Sequence, residues 1–126
     1  VRFFSFNELF RQLEKAELTE KLPRLMKHLI KKDLLIIDDF AFTALSQPQS
    51  EWLYEIVDAR YGARSTILTS NRAMGDWLGV FPDPVIGGAV LDRLTHQAHQ
   101  IQLKGESVRK KLGLKMLQQP VDNHEH

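Results

Sequence analysis

Apolar residues recur along the chain with two periods, one typical of strands and the other typical of helices. The segment from Val1 to Phe6 is rich in β-forming residues and predicts a strand, and Asn7 after it is a favourable N-cap for a helix. Apolar residues then recur every three or four positions, which predicts an amphipathic helix that ends near Ala16. A second amphipathic helix is predicted after Thr19 on the same grounds.

The second predicted helix has a basic polar face. Its apolar face consists of Leu22, Leu25, Met26, Leu29 and Ile30, and its polar face of Lys21, Arg24, Lys27 and Lys31. A charged face of this kind is usually a solvated surface, and that is the interpretation we adopt from the sequence.

A continuous apolar run of strand length extends from Leu34 to Ile37, with charged residues on both sides. Such a run is typical of a strand that is buried on both faces of a parallel sheet. Further along, Ser46 and Gln49 have the spacing of a capping box, which predicts the start of a helix that ends at Gly62.

The remaining segments continue the alternation of strands and helices. We predict a strand from Ser65 to Ser70, helices from Met74 to Leu78 and from Val85 to Leu94, and a final strand from Gln100 to Leu103. This order indicates an α/β fold with a parallel sheet, whose strands end together at one ligand-binding edge. We assign residues 1–113 to one domain and residues 114–126 to a polar tail that we expect to be mobile.

Composition narrows the class of protein. The 126 residues suffice for one domain, and 43 % apolar and 26 % charged residues are ordinary for a soluble globular protein. A net charge of +1 does not by itself indicate a nucleic-acid binder, and the absence of cysteine excludes disulfides. No apolar run is long enough to span a bilayer, so we expect a cytoplasmic protein with no membrane partner. The chain opens at Val1 within a predicted strand, which suggests a fragment of a longer protein.

Two acids, Asp38 and Asp39, directly follow the apolar run. At the tip of a buried strand, the first can hold Mg²⁺ through its water shell, and the second can orient an attacking water for phosphoryl transfer. This is the Walker B pattern. The same pair is also compatible with acids that cap a neighbouring helix or face solvent, because short motifs have many false positives.

Three further residues are candidates for the same chemistry. Asn71, at the tip of the next predicted strand, can hydrogen-bond a water and a γ-phosphate, although turn asparagines are common. Arg93, near the end of a predicted helix, can act as an arginine finger on a neighbouring subunit's nucleotide or form an ion pair with Asp92 or another acid. Arg109 lies in a basic cluster that can contact a phosphate, contact DNA or be simply solvated.

The order of these motifs resembles that of the IstB-like AAA+ ATPases, transposition helpers related to the DnaC helicase loader. The resemblance covers residues 1–111 and rests on the segments LLIIDDF, RYGARSTILTSNR, WLGVFPDPVIGGAVLDRL and HQIQLKGESVRKK. It implies that Asp38 is the Walker B magnesium ligand and that Asp39 is the acid beside it. It also implies that Asn71 is sensor 1, Arg93 the arginine finger and Arg109 a second sensor.

The resemblance also implies cofactors and partners. These are ATP and Mg²⁺, DNA, a transposase, and homo-oligomerisation through Arg93. The fold implied is a P-loop NTPase sheet flanked by helices.

One departure from the family pattern is the absence of G-x-x-x-x-G-K-[ST], the Walker A loop that cradles the phosphates. The family places it on a strand upstream of Val1, so we expect the P-loop strand to be missing. We then expect weak ATP binding by the chain alone, and its status as an enzyme stays open. The strand from Gln100 to Leu103 would also lack its native neighbour.

Two alternative functions remain from the sequence. A helicase loader of the DnaC type would share the same core. A receiver-like signalling domain would use an acidic pair beside Mg²⁺, but it needs an acceptor aspartate at the end of a later strand, and the strand from Ser65 to Ser70 ends without one.

Overall fold

A computed structural model of the protein describes residues 1–96. The elements, in chain order, are β1 (Arg2–Ser5), α1 (Phe6–Leu18), α2 (Leu22–Lys31), β2 (Leu34–Asp38), α3 (Gln47–Arg60), β3 (Ser65–Leu68), a 3₁₀ helix (Met74–Val80) and α4 (Pro84–Thr95). This alternation confirms the predicted α/β class. The predicted strand from Gln100 to Leu103, the tail and Arg109 lie outside the described residues.

The three strands form a parallel sheet in the order β1-β2-β3. Ile37 in the central strand is in register with Phe4 on one side and Leu68 on the other. Since all three strands run in the same direction, the residues that follow β2 and β3 lie at one edge, which we call the carboxyl edge. The parallel arrangement predicted from the sequence is confirmed.

Burial alternates along β2, and the prediction of a strand buried on both faces is therefore wrong for the part of the protein described. Leu35 and Ile37 are buried against the helices, whereas Leu34 and Ile36 on the opposite face are only partly buried. On that second face Phe3 is 61 % exposed and Ile67 is 48 % exposed. The physical reason is that the described helices cover one face of the sheet.

Helix α1 begins two residues earlier than predicted. Ser5, and not Asn7, is the N-cap, because its hydroxyl accepts a hydrogen bond from the Glu8 amide at 3.1 Å. Asn7 lies inside the first helical turn, where its side-chain oxygen accepts a hydrogen bond from the Thr43 hydroxyl at 3.1 Å. Serine and asparagine are both good N-cap residues. Ser5 is the cap here because its side chain reaches a free amide of the first helical turn.

The capping box at the start of α3 is confirmed. The Ser46 hydroxyl accepts from the Gln49 amide at 3.3 Å, and the Gln49 side chain accepts from the Ser46 amide at 2.9 Å. At the other end the chain leaves the helix through Gly62, whose φ of 72° is in the left-handed region that glycine adopts without steric cost.

Four aromatic rings connect α1 to the loop after β2 and to the 3₁₀ helix. Ring centroids are 5.0 Å apart for Phe6 and Phe10, 5.2 Å for Phe6 and Phe40, and 4.8 Å for Phe40 and Trp77. These tilted and edge-to-face arrangements are favourable for aromatic pairs. Phe40 is thereby held in the core beside the sheet edge where Asp38 ends its strand. Within residues 1–96, no helix has the length and apolar character needed to cross a membrane.

Candidate functional site

The loops after β2 and β3 are joined at the carboxyl edge by one hydroxyl group. The Thr69 hydroxyl donates a hydrogen bond to Oδ1 of Asp38 and accepts one from the backbone amide of Asp39 at 3.2 Å. Because a hydroxyl has a single proton, the amide on its acceptor side leaves that proton for the carboxylate. Thr69 therefore orients the carboxylate of Asp38 and the backbone of Asp39 together. Thr69 was not among the site residues predicted from the sequence.

Backbone hydrogen bonds extend the pairing of β2 and β3 beyond the ends of the strands. The Thr69 amide donates to the Ile37 carbonyl at 3.1 Å, and the Phe40 amide donates to the Thr69 carbonyl at 2.7 Å. The Ser70 hydroxyl then donates to the Phe40 carbonyl at 2.7 Å. Strand β3 itself ends at Leu68, two residues before the predicted end, so Thr69 and Ser70 hold the loop after β2 in place.

The loop after β2 has an unusual backbone. Asp39 and Ala41 have φ values of 56° and 65°, in the left-handed region that costs a residue with a side chain roughly 1–2 kcal/mol. Phe40, between them, is only 1 % exposed and contacts two aromatic rings. Burial of this ring offsets part of the backbone cost. Strained conformations of this kind cluster at functional sites.

The carboxylate of Asp38 has the chemistry needed for a magnesium site. It is partly buried, its Oδ1 atom accepts from Thr69, and its other oxygen has no hydrogen-bond partner among residues 1–96. Mg²⁺ binds proteins through one or two carboxylates and keeps several waters, so Asp38 fits this ion. The described residues contain no group of three or more acidic or histidine side chains that could hold a metal.

Asn71 is brought to the same edge as the two acids. It directly follows Ser70, which contacts Phe40, and its side chain is exposed. One edge of the sheet therefore contains Asp38, Asp39 and Asn71, which were predicted from separate motifs. That edge is where parallel α/β sheets bind ligands.

Arg93 is not brought to this edge within the chain. Its Nε lies 2.6 Å from Oδ1 of Asp58 on α3, and its guanidinium lies 5.2 Å from the centroid of the Tyr54 ring. The hydrogen bond to Asp58 raises the pKa of Arg93 above its ordinary value. Asp58 is near the end of α3, which leads to the start of β3 and hence to the opposite edge of the sheet. The ion pair predicted as an alternative is thus formed with Asp58, and the arginine finger stays a prediction for contact between subunits.

Arg60 is a buried cation that the sequence reasoning missed. It is 2 % exposed and sits at the end of α3. Its guanidinium donates to the carbonyls of Leu29, Ile30, Lys32 and Ser65 and to the hydroxyl of Thr66. Burial lowers the pKa of Arg60 below its ordinary value. Nothing in its local sequence distinguishes it from an exposed arginine, because its partners lie on other elements.

A family model described as "IstB-like ATP binding protein" matches residues 1–116. The chain belongs to this family. It is 35 % identical over 107 residues to the ATP-binding protein of insertion sequence IS232 from Bacillus thuringiensis, an alignment that covers 85 % of this chain and 43 % of that protein. It is 40 % identical over 102 residues to the insertion-sequence ATP-binding protein y4pL of Sinorhizobium fredii, covering 81 % of this chain and 42 % of the relative.

Solved structures agree on the fold. AMPPCP-bound DnaA from Aquifex aeolicus superposes with a TM-score of 0.66 at 14 % sequence identity, over 98 % of this chain and 37 % of that chain. DnaA bound to AMPPCP and single-stranded DNA has a TM-score of 0.65, also at 14 % identity. At this identity the likeness shows the fold alone, which is a partial P-loop NTPase fold of the AAA+ class. The IstB-like chain spans less than half the length of these relatives and structures.

Proposed function

We propose that this IstB-like chain supplies the hydrolytic edge of an ATP-dependent helper in DNA transposition. The main support for this proposal is that the Thr69 hydroxyl hydrogen-bonds both the Asp38 carboxylate and the Asp39 amide at the carboxyl edge of a parallel sheet. The chain belongs to an ATP-binding family, which supports ATP as the ligand of that edge. Relatives named for insertion sequences favour transposition over the helicase-loading and receiver-like alternatives.

The proposed roles follow from the chemistry of phosphoryl transfer, in which positioning and charge stabilisation do most of the work. Asp38 would hold Mg²⁺ through its water shell, which neutralises charge on the phosphates. Asp39 would orient the attacking water, and the Asn71 amide would hydrogen-bond that water and the terminal phosphate. Arg93 would leave Asp58 and stabilise charge on the nucleotide bound to a neighbouring subunit. Arg109 would contact a phosphate of the nucleotide bound to its own chain.

The proposal includes the partners of the whole protein, which would be DNA, a transposase and further copies of the chain. It also places the protein in the cytoplasm. The 126 residues contain no Walker A sequence, so this chain by itself should bind ATP weakly. Isothermal titration of the chain with ATP and Mg²⁺ would contradict this expectation if it gave a micromolar Kd.

The position of the nucleotide can be tested at millimolar ATP, where weak binding is still visible. Mn²⁺ in place of Mg²⁺ broadens the NMR signals of nearby amides. With Mn²⁺ and ATP, we expect the amides of Asp39, Phe40 and Asn71 to broaden first. The variant Asp38→Asn should remove most of this broadening.

Asp33→Asn provides the matched control, because Asp33 directly precedes β2 at the opposite end from Asp38 and is exposed. It should leave the broadening unchanged. Equal effects of the two substitutions, or broadening centred away from the carboxyl edge, would refute the proposed site.

A further inference from the structure

The hydroxyl of Thr69 engages one of the two oxygens of the Asp38 carboxylate. Its direction is fixed, because the same hydroxyl accepts a hydrogen bond from the Asp39 amide at 3.2 Å and has its single proton left for Oδ1 of Asp38. Oδ2 of Asp38 has no hydrogen-bond partner among residues 1–96. The carboxylate therefore has one engaged oxygen and one free oxygen at the carboxyl edge.

The bond between Thr69 and Asp38 is not needed to hold the two loops together. The Thr69 backbone already joins them, because its amide donates to the Ile37 carbonyl and its carbonyl accepts from the Phe40 amide. The Ser70 hydroxyl adds a third link, to the Phe40 carbonyl at 2.7 Å. The side-chain hydroxyl of Thr69 thus has a separate effect, which is to set the direction of the Asp38 carboxylate.

The negative charge of the two acids is not neutralised within the described part of the chain. The ion pairs formed within residues 1–96 involve Glu8 and Asp58, and neither involves Asp38 or Asp39. A hydroxyl is a neutral donor, so it orients the carboxylate of Asp38 and leaves its charge in place. That charge is available to a cation that approaches the free oxygen Oδ2.

The number of free oxygens distinguishes Mg²⁺ from Ca²⁺. Mg²⁺ keeps several of its waters and contacts few carboxylates, whereas Ca²⁺ takes roughly six to eight oxygen ligands and often binds both oxygens of one carboxylate. A single free oxygen can accept a hydrogen bond from a metal-bound water, which suits Mg²⁺. Binding of Ca²⁺ by both oxygens would require Oδ1 of Asp38 to lose its bond with Thr69.

We propose that Thr69 is a positioning residue that makes the Asp38 carboxylate favour Mg²⁺ over Ca²⁺. Thr69 acts through Asp38 and does not itself contact the metal. The inference rests on the proposed function, which assigns a metal and its nucleotide to this edge. It adds to that function the residue that determines which cation the edge selects.

The test compares Mg²⁺ and Ca²⁺ as competitors of Mn²⁺ on the full chain, with the NMR broadening caused by Mn²⁺ and ATP as the signal. Each competing ion restores the amide signals of Asp39, Phe40 and Asn71, and the concentration that gives half recovery is measured. The ratio of the Ca²⁺ to the Mg²⁺ concentration is then compared between variants, so the affinity of ATP itself for the two ions cancels.

The substitution Thr69→Val removes the hydroxyl and frees Oδ1 of Asp38. We expect it to lower the ratio by about three- to ten-fold, because a hydrogen bond to a charged group is lost at an exposed position. Thr69→Ala removes the same hydroxyl without putting a methyl group in its place, and it should lower the ratio equally. The same NMR spectra report whether each variant is folded.

Two further variants separate the hydroxyl from other effects. Thr69→Ser keeps the hydroxyl and should keep the wild-type ratio. Thr43→Val is the matched control, because Thr43 is an exposed threonine of the loop after β2 whose hydroxyl donates to Asn7 and not to Asp38. It should also keep the wild-type ratio.

Three results would overturn the inference and leave the proposed function standing, because the wild-type broadening at the carboxyl edge would persist. One is an unchanged ratio in Thr69→Val and Thr69→Ala, and another is an equal change in Thr43→Val. The third is a lowered ratio in Thr69→Ser, which would show that the methyl group sets the selectivity. Broadening of the wild type centred on another part of the chain would refute the proposed function and this inference with it.

Discussion

Arg60 should be the polar residue on which the stability of the described domain depends most. Its guanidinium connects α3, to which Arg60 belongs, with two other elements. It donates to carbonyls at the end of α2, to the Ser65 carbonyl at the start of β3 and to Thr66 within that strand. The substitution Arg60→Met keeps most of the side-chain volume and removes every donor. The carbonyl oxygens of Leu29 and Lys32 lie 2.8 and 2.6 Å from Nη1 of Arg60. They would then lose this cationic donor in a largely buried environment.

The magnitude follows from the number of bonds lost. Hydrogen bonds to charged groups contribute about 1.5–3 kcal/mol each, and an unsatisfied buried carbonyl costs about 1–3 kcal/mol. Removing the buried cation recovers part of its desolvation cost, which opposes these losses. We therefore expect a net loss of about 3–5 kcal/mol in the free energy of unfolding. That is a large fraction of the stability of about 5–15 kcal/mol that is typical of a domain.

Urea unfolding followed by circular dichroism measures this loss as a lower midpoint with an unchanged slope. Arg64→Met is the matched control, because Arg64 is exposed and its side chain makes one hydrogen bond within residues 1–96, to the Lys31 carbonyl at 3.2 Å. It should lower stability by less than about 1 kcal/mol. Equal effects of the two substitutions would refute the argument that the network of Arg60 connects the three elements.

Two helix substitutions test local features of the same fold. Gly87→Ala should destabilise the protein by about 1–3 kcal/mol, because an added Cβ would lie 2.8 Å from Phe81, whereas Gly88→Ala meets nothing within 4 Å and should be neutral or stabilising by up to about 1 kcal/mol. Thermal unfolding of both variants decides this, and a lower Tm for Gly88→Ala would contradict it. Ser46→Ala should cost about 1 kcal/mol through loss of the capping box. A urea midpoint equal to that of the wild type would show that the cap contributes nothing.

The order of elements within residues 1–96 and the shared edge of Asp38, Asp39 and Asn71 followed from the sequence alone. Apolar periodicity depends on local geometry, so it identified the helices, the strands and the parallel class from residues close together in the chain. The acids after β2 and the amide after β3 were predicted to share an edge because the ends of parallel strands must meet there. The hydrogen bonds of Thr69 to Asp38 and Asp39 agree with that placement.

The partners of individual side chains were decided only by the tertiary structure. Arg60 and Arg93 are both arginines near a helix end, yet one is buried among carbonyls and the other pairs with Asp58. The Asn7 side chain accepts a hydrogen bond from Thr43, and β2 is fully buried on one face only. These outcomes depend on residues about 30 positions away or on which face of the sheet the helices cover. Local patterns contain no information about such contacts, because they form only when distant segments of the chain pack together.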